Sequence, residues 1–313
     1  RVCKAMLKEY NDQQQQPLVL FDGKDASLSL GFEGKNENIL SNQMYFQTTN
    51  VTDSTVTMRL NAANGGHLDF IYKLLPNSYV VDFTVKTMSV DWKQRARQME
   101  KGYTFEQRYT SLTYKPVDDS FDYLSETKDE KETIPEVLDW VAFKNQYFSC
   151  VFMAEKNFEN ATLESKMEQK GSSYMKNYTA EMKTAFDTTG AQPSRFQFYF
   201  GPNHFKTLLA TNDLSFKDKD QELEDLVYLG WPIIRLINRW FTINLFDWLS
   251  SWGLSMGIVI LLMTIIVKIL VLPTTWKSFI SSAKMRALKP YVDKINAKYP
   301  KQEDALKKQQ ETM

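Results

Sequence analysis

The chain has 313 residues, of which 43% are hydrophobic and 13% aromatic, with 38 basic and 38 acidic side chains. This length predicts one sizeable globular domain plus further segments, or two small domains. The balanced charge argues against a DNA-binding protein, because nucleic-acid-binding domains normally carry an excess of positive charge.

The chain opens with polar sequence and then changes to a β pattern. Residues 1–17 contain the run Gln13 to Gln16 and predict a linker. From Leu18 to about residue 205 apolar side chains alternate, which predicts a large, many-stranded antiparallel β domain built as an extended double sheet. The alternation is seen in Val56, Met58 and Leu60, in Val81, Phe83 and Val85, and in Phe196, Phe198 and Phe200.

Three stretches interrupt or close this β region. The charged segment Ser125 to Glu136 predicts a surface loop, and the aromatic stretch Trp140 to Phe148 predicts a buried strand or a strand-to-helix corner. Tyr199-Phe-Gly-Pro ends the region, and residues 206–225 form a polar connector with an acidic end.

A helical period replaces the β pattern over residues 226–250. Aromatic and aliphatic side chains share one face there and an Arg- and Asn-containing stripe lies opposite, which favours a helix lying in a membrane interface. Packing of this helix on the β domain is the alternative. The expected interface anchors are Ile237, Trp240, Phe241 and Trp248.

The next segment, residues 253–273, predicts a transmembrane helix. Gly253 to Leu272 is apolar except for Thr264 and a few small residues, and Lys268 is its one charge. Twenty helical residues span about 30 Å, the thickness of the hydrocarbon core. Pro273 is expected to end the helix or mark its exit from the membrane.

Residues 278–313 predict two further helices that break at Pro300 and form an antiparallel hairpin, truncated at Met313. Between Thr274 and Met313 nine basic residues oppose four acidic ones. Basic residues next to a span are retained in the cytoplasm, so this tail is predicted to be inside and residues 1–250 outside. Export of the β domain would then require a signal or membrane anchor ahead of Arg1, and we expect the chain to be a fragment.

The few cysteines and histidines limit the chemistry of any site. Cys3 and Cys150 permit one disulfide. His67 and His204 have no close Cys/His spacing, so we expect no metal site and expect both to be structural or exposed.

The exit from the span through Leu272-Pro273, followed by Lys284-Met-Arg-Ala-Leu-Lys-Pro, resembles the YidC/Oxa/Alb membrane protein insertases. The stretches Trp140 to Phe148 and Tyr199-Phe-Gly-Pro are similar to the periplasmic domain of the Gram-negative YidC branch. The resemblance implies a periplasmic β-supersandwich, an interfacial helix, the second of six membrane helices and the start of a cytoplasmic hairpin, in the bacterial inner membrane.

The resemblance also implies a function. It implies insertion and chaperoning of nascent membrane proteins through a hydrophilic groove, without enzymatic activity or a cofactor. The implied partners are nascent membrane proteins, the Sec translocon and membrane lipid. The ribosome and the signal recognition machinery would meet the hairpin, where the candidate contact residues are Lys284, Arg286 and Lys289.

Lys268 has two interpretations. Its long stem could carry the ammonium to the cytoplasmic interface, which composition alone favours. The resemblance instead implies a groove charge that contacts substrate, with Thr264 lining the same groove. Members of this family commonly carry arginine at this position, and lysine lacks the planar fork that binds a carboxylate through two hydrogen bonds.

Two other functions fit parts of the sequence. A single-pass receptor with a ligand-binding extracytoplasmic β domain would need no role for Lys268. A carbohydrate-active enzyme would fit the β-sandwich, but the β region shows no close pairing of histidine with acids.

Overall fold

Strands dominate the chain as far as Pro202 and helices follow, in the order that the hydrophobic pattern predicts. The computed structural model describes residues 2–33, 38–61, 67–85, 89–184, 193–216 and 220–298. The chain divides into two compact units, Arg1–Tyr228 and Leu229–Met313. Together they form the expected all-β domain followed by an α-helical membrane segment.

The strands are β1 (Lys4–Asn11), β2 (Pro17–Asp22), β3 (Ala26–Glu33), β4 (Asn38–Leu40), β5 (Gln47–Val51), β6 (Thr55–Asn61), β7 (His67–Leu74), β8 (Val80–Val85), β9 (Ser89–Arg97), β10 (Ser111–Pro116), β11 (Asp122–Tyr123), β12 (Glu130–Ile134), β13 (Leu138–Lys144), β14 (Phe148–Phe158), β15 (Asn160–Met167), β16 (Tyr174–Lys183) and β17 (Ser194–Pro202). The helices are α1 (Tyr103–Gln107), α2 (Phe205–Thr211), α3 (Pro232–Ile237), α4 (Ile243–Ser250) and α5 (Met256–Lys298).

The strands form two large sheets and a hairpin, and their pairings are antiparallel. One sheet has the order β11-β10-β13-β14-β17-β8-β7-β6-β5, and the other has the order β12-β15-β16-β9-β3-β4. β1 and β2 make the hairpin. This extended double sheet confirms the β-supersandwich.

Aromatic side chains from both large sheets meet in the core. Trp92 on β9 stacks on Phe143 of β13 with ring centroids 3.8 Å apart, and Phe143 in turn stacks on Tyr178 of β16 at 5.0 Å. Phe152 of β14 stacks on Phe198 of β17 at 4.5 Å. Each buried ring stabilises the fold by about 1.5–3 kcal/mol through removal of apolar surface from water. The predicted strands through Phe83, Phe198 and Trp140 are thereby confirmed.

The predicted linker at residues 1–17 is wrong, because most of it folds. β1 pairs with β2, and Gln13 to Gln16 lie in the turn that joins them. Leu7, Leu18 and Leu20 are buried in the main core. The pairing of β1 with β2 shifts register after Ala5, where β2 carries an extra residue, and again between Leu7 and Asn11, where β1 carries the extra residues. These irregularities obscure the β pattern in the sequence.

The polar connector predicted at 206–225 also belongs to the β unit. α2 and a 3₁₀ turn at Leu223–Leu226 bury Leu208, Leu223 and Leu226 in a second core cluster that contains Trp140 and Tyr199. The Trp140 indole donates a hydrogen bond of 2.7 Å to the Gln221 carbonyl. A few apolar residues in polar sequence therefore extend the unit to Tyr228.

The Tyr199-Phe-Gly-Pro stretch forms the end of β17. The Tyr199 hydroxyl donates a hydrogen bond of 2.6 Å to the Pro202 carbonyl, so the ring lies against the backbone of Gly201. A Cβ atom at Gly201 would be 2.6 Å from the Tyr199 ring and 2.8 Å from Tyr79. Glycine is required here because the ring occupies the place of a side chain.

Part of the predicted surface loop, Ser125 to Glu136, is the edge strand β12, which pairs with β15. Lys176 on β16 supports the start of this segment: its side chain is fully buried and its Nζ donates a hydrogen bond of 2.9 Å to the Ser125 carbonyl. Burial lowers the pKa of Lys176 to about 8, although Glu126, Asp129 and Glu130 partly oppose the shift.

The lowered pKa of Lys176 predicts a pH dependence of stability. Between about pH 8 and pH 9.5 native Lys176 loses its proton while an unfolded lysine keeps it, so the unfolded state binds more protons and stability rises with pH. We expect the free energy of unfolding to rise by about 1.5 kcal/mol relative to Lys176→Met over this range. Urea unfolding followed by tryptophan fluorescence measures the difference.

Lys183→Met is the matched control for this experiment, because Lys183 is exposed on the same strand. It should show the same pH dependence as the unchanged chain. Parallel curves for the unchanged chain and Lys176→Met would contradict the assignment.

Candidate functional site

The amphipathic segment begins at Pro232, six residues later than the predicted start at Leu226, because Leu226 is buried in the β unit. Proline suits the first helical turn, where its missing N–H would lack a partner in any case. Large apolar side chains of this segment are exposed: Trp231, Ile233, Leu236, Ile237, Trp240, Phe241 and Trp248. An exposed set of this size is typical of a surface that meets lipid or protein.

A π-helical turn at Asn238–Thr242 joins α3 to α4. The wider turn rotates the apolar face of α4 relative to that of α3, which a uniform helical period does not predict. The Asn238 side chain donates a hydrogen bond of 2.9 Å to the Leu229 carbonyl and ties the turn to the start of the unit. Beyond it Leu249 is buried, while Trp248 stays exposed with its ring 4.7 Å from that of Trp252.

A tight turn connects α4 to α5. Gly253 has a φ of +70°, a conformation that glycine adopts without strain. α4 packs against α5, and Leu249 and Val259 are the buried apolar side chains of the two helices. The amphipathic segment is thereby fixed to the start of the long helix.

Within the described residues, one helix is long and apolar enough to cross a membrane, over Met256–Lys294, and its most apolar stretch of 18 residues has a mean hydropathy of 2.6. Its apolar side chains are mostly exposed, as expected of a helix whose natural solvent is lipid. α5 as a whole has 43 residues, which span about 64 Å and exceed the hydrocarbon core about twofold.

Of the two roles predicted for Pro273, ending the helix is wrong, whereas marking the exit from the membrane stays a prediction. α5 continues through Pro273 and Pro290 to Lys298, so the transmembrane helix and the first helix of the predicted hairpin are one element. Each proline removes one backbone hydrogen bond, and nearby hydroxyls help to satisfy freed carbonyls in membrane helices. Pro273 frees the Ile269 carbonyl, and two residues further along the helix the Thr275 hydroxyl donates a hydrogen bond of 3.0 Å to the Val271 carbonyl.

Thr264 and Lys268 lie four residues apart and therefore on one side of α5. At about 100° per residue, Thr275, Ser282 and Arg286 project within about 40° of the same line, as do exposed Lys289 and Asp293 nearer the end of the helix, while apolar Val271 interrupts the line. We call Thr264, Lys268, Thr275, Ser282 and Arg286 the polar stripe. Sequence reasoning missed its full length because a helix ending at Pro273 cannot align residues on both sides of the proline.

The polar groups of the stripe differ in whether they have a hydrogen-bond partner within the helix. The Thr264 hydroxyl donates a hydrogen bond of 2.8 Å to the Ile260 carbonyl of its own helix, which leaves little demand for another partner. Lys268 is exposed on the helix surface, about 18 Å along the axis from Met256. The ammonium is the group in the span that most needs water or an anion.

The cations of the predicted hairpin, Lys284, Arg286 and Lys289, are exposed. Arg286 and Lys289 project on the side of the polar stripe, and Lys284 projects on the opposite side. The predicted break at Pro300 and the predicted second hairpin helix lie in residues 299–313, outside the described residues.

The cysteines and histidines do not form a site. Cys3 is exposed and Cys150 is buried, and the two are not joined in a disulfide. Burial raises the pKa of the Cys150 thiol to about 12. His204 is exposed, and exposed His67 lies 3.8 Å from Asp69, which also binds Arg59 at 2.7 Å. The described residues contain no group of His, Cys, Asp and Glu that could hold a metal ion.

Comparison with known proteins identifies the family. Residues 1–246 match the family model of the YidC periplasmic domain, and residues 248–313 match that of the 60Kd inner membrane protein. The chain belongs to the YidC family. Its periplasmic domain and its apolar helix are those of an inner-membrane protein, as the sequence predicts.

Curated relatives support the same assignment and carry the name membrane protein insertase YidC. The chain is 66% identical to the protein of Phocaeicola vulgatus and 55% identical to that of Bacteroides fragilis strain YCH46. It is 36% identical to the protein of Porphyromonas gingivalis strain W83. In each case the whole chain is covered, together with 52% of the relative. This YidC-family chain therefore spans about half the length of the curated relatives it matches.

The exposed aromatic face of the segment before the span predicts membrane attachment. Replacing Ile237, Trp240 and Phe241 together by aspartate should detach a version of the chain that ends at Ser250 from liposomes, because carboxylates do not enter the acyl boundary. Flotation on a density gradient measures attachment.

Replacement of the same three residues by leucine is the matched control and should preserve flotation, because it keeps the apolar face. Unchanged flotation of the triple aspartate variant would mean that this face packs on protein.

Proposed function

We propose that this chain is part of a membrane protein insertase and chaperone that moves segments of nascent inner-membrane proteins into lipid. The names of its relatives support this function. The structural observation that carries it is the polar stripe, with Lys268 in the apolar part of α5. A charge at this depth is costly unless it faces a hydrated cavity, and such residues mark substrate pathways.

The proposed groove is formed by the polar stripe together with other membrane helices of the protein. Lys268 attracts an acidic residue in the hydrophilic segment that flanks a nascent membrane helix. At an effective dielectric of about 20, charges about 4 Å apart gain roughly 4 kcal/mol before desolvation and lost side-chain entropy reduce the gain. Thr264 lines the groove one turn away, with its hydroxyl already bonded to the backbone.

Transfer of the apolar substrate segment into lipid supplies the remaining driving force. Burial of each apolar side chain gains about 1.5–3 kcal/mol, so a membrane helix gains far more than one charge pair contributes. The groove has only to lower the free-energy barrier for moving the hydrophilic flanking segment of the substrate into the membrane. Neither a nucleotide nor a cofactor is needed for this step, and we propose that the chain is not an enzyme.

The orientation follows from charge. Cations are concentrated after the span and place the end of α5 in the cytoplasm, with the β unit in the periplasm. The exposed cations Lys284, Arg286 and Lys289 then offer contacts to the ribosome, whose RNA phosphates attract basic residues, and to the signal recognition machinery. The Sec translocon is proposed as a partner within the membrane.

Substitutions of Lys268 test the proposed groove. They are made in the protein extended to the full length of its relatives. Lys268→Arg should preserve insertion, Lys268→Ala should slow substrates with acidic flanks, and Lys268→Glu should slow these substrates most through repulsion. A net electrostatic contribution of 1.4 kcal/mol corresponds to about a tenfold change in substrate occupancy. Insertion into proteoliposomes, measured for one substrate with an acidic or a neutral flank, gives the comparison.

Lys277→Glu is the matched control, because Lys277 lies on the same helix but away from the polar stripe. It should leave the ratio of acidic to neutral substrate unchanged. If Lys268 instead anchors the helix at the membrane interface, all Lys268 variants should give the same ratio of acidic to neutral substrate inserted. This result would contradict the proposed groove.

A further inference from the structure

The last segment of the β unit is attached to the sheets in an unusual way. We call residues 221–228 the strap, because they carry the chain from the second core cluster to the end of the β unit. The sequence predicts a polar connector here, yet Leu223 and Leu226 are buried. Within the described part of the chain the strap pairs with no strand. Side chains rather than a backbone ladder therefore attach it, which makes it a candidate for local opening.

Two side chains on neighbouring strands hold the start of the strap. Lys115 of β10 and Trp140 of β13 lie directly opposite each other in the antiparallel pairing. The Trp140 indole donates a hydrogen bond of 2.7 Å to the Gln221 carbonyl, and Nζ of Lys115 lies 3.1 Å from a carboxylate oxygen of Glu222. One cross-strand pair thus holds two successive residues of the strap. We call these two contacts the latch.

The surroundings of Lys115 favour a latch that is either closed or open. Its side chain is 8% exposed, and its Nζ also donates hydrogen bonds of 3.1 Å to the Pro116 carbonyl and 2.7 Å to the Asp119 carbonyl. An ammonium has three donors, so Glu222 completes the set and supplies the opposite charge. If Glu222 moved away while the strap stayed in place, Lys115 would keep an uncompensated charge in a site shielded from water. Partly open states are therefore disfavoured.

Two features of the strap oppose its closed conformation. Glu222 has a φ of 49° and a ψ of 34°, a left-handed conformation that is uncommon for a long side chain. Gln221 is fully buried, and neither polar atom of its amide has a hydrogen-bond partner among the described residues. Burial of an unpaired amide costs free energy. Strain of this kind persists only where the surrounding structure enforces it, and it is common in segments that switch between two states.

We propose that the strap is a releasable segment of the β unit. It opens as a whole when the latch breaks, while the two large sheets stay folded, and residues 221–228 then act as a linker. In extended form these eight residues span at most about 28 Å. Release therefore gives the β unit additional reach from the amphipathic segment to which the strap leads, and it uncovers the face of the sheet that carries Trp140.

This device is separate from the proposed insertion step. The latch shares no residue with the polar stripe, and the opening of the strap can be measured without an insertion assay.

Cysteine labelling in lipid nanodiscs measures the opening. With Cys3 replaced by serine, Leu223→Cys should react with a hydrophilic maleimide at least about tenfold faster than Leu163→Cys. Both positions are fully buried, but Leu163 lies on β15 in the main core, which stays folded when the strap opens. The native Cys150 is buried in the same core and serves as an internal reference.

A change at the latch should act on the strap alone. Glu222→Gln should speed the labelling of Leu223→Cys about tenfold, because it removes the opposite charge beside a shielded ammonium. It should leave the labelling of Leu163→Cys unchanged. The matched control is Glu164→Gln, which removes the 2.8 Å ion pair with Lys166 on the sheet and should not change the labelling of Leu223→Cys.

Hydrogen exchange measured by mass spectrometry avoids the cysteine substitutions. The amides of Asp225 and Val227 donate hydrogen bonds of 3.1 Å within the closed strap, so their exchange reports its opening. Peptides that cover them should exchange at least about tenfold faster than peptides from β14 in the unchanged chain. Glu222→Gln should raise the exchange rate of the strap only.

Three results would overturn the proposal. Equal labelling of Leu223→Cys and Leu163→Cys would mean that the strap opens only when the whole β unit unfolds. Fast labelling of Leu223→Cys that Glu222→Gln leaves unchanged would mean that the ion pair does not hold the strap. Equal exchange rates in the strap and in β14 would exclude local opening in the unchanged chain.

Discussion

The absence of hydrogen-bond partners in the hydrocarbon core is the constraint on which the second unit depends. A helix satisfies its own backbone there, and α5 does so except at the Ile269 carbonyl, which loses its helical donor because Pro273 has no N–H. Thr264 and Thr275 return their hydroxyls to backbone carbonyls four residues earlier, so these side chains are also satisfied within the helix. The Lys268 ammonium has no comparable partner within its own helix, because the backbone carbonyls around it are already hydrogen-bonded and burying the charge in lipid has a large desolvation cost. Its requirement for water or an anion is the physical basis of the proposed groove.

The β unit follows a different rule, because water surrounds it and aromatic packing stabilises it. Trp92, Phe143 and Tyr178 join the two large sheets, and Trp140 faces the other side, where α2 and the turn at Leu223–Leu226 cover it. Both faces of the central strands are therefore shielded from water.

Long periodic segments could be predicted from the sequence, whereas boundaries could not. The alternation through Phe83 and Phe198 and the apolar run before Pro273 each repeat one period often enough to identify a strand or a helix. The register shifts between β1 and β2 and the isolated Leu223 break or shorten the pattern, so the sequence of residues 1–17 and 206–225 predicts linkers. Lys268 could be identified as a candidate because it is a charge in apolar sequence. The polar stripe could not, since its alignment depends on a helix that continues through proline.

The accessibility of position 268 to water tests the central claim most directly. In the protein at the full length of its relatives, with Cys3 replaced by serine, Lys268→Cys and Leu270→Cys can be labelled from the cytoplasmic side with a hydrophilic maleimide. The native Cys150 stays unreactive because it is buried and its pKa is raised. Leu270 lies nearer the cytoplasmic end but projects away from the polar stripe, so depth alone would favour its labelling. A hydrated groove predicts that Lys268→Cys reacts about tenfold faster, since thiolates form in water and not in lipid. Equal labelling, or faster labelling of Leu270→Cys, would contradict the groove.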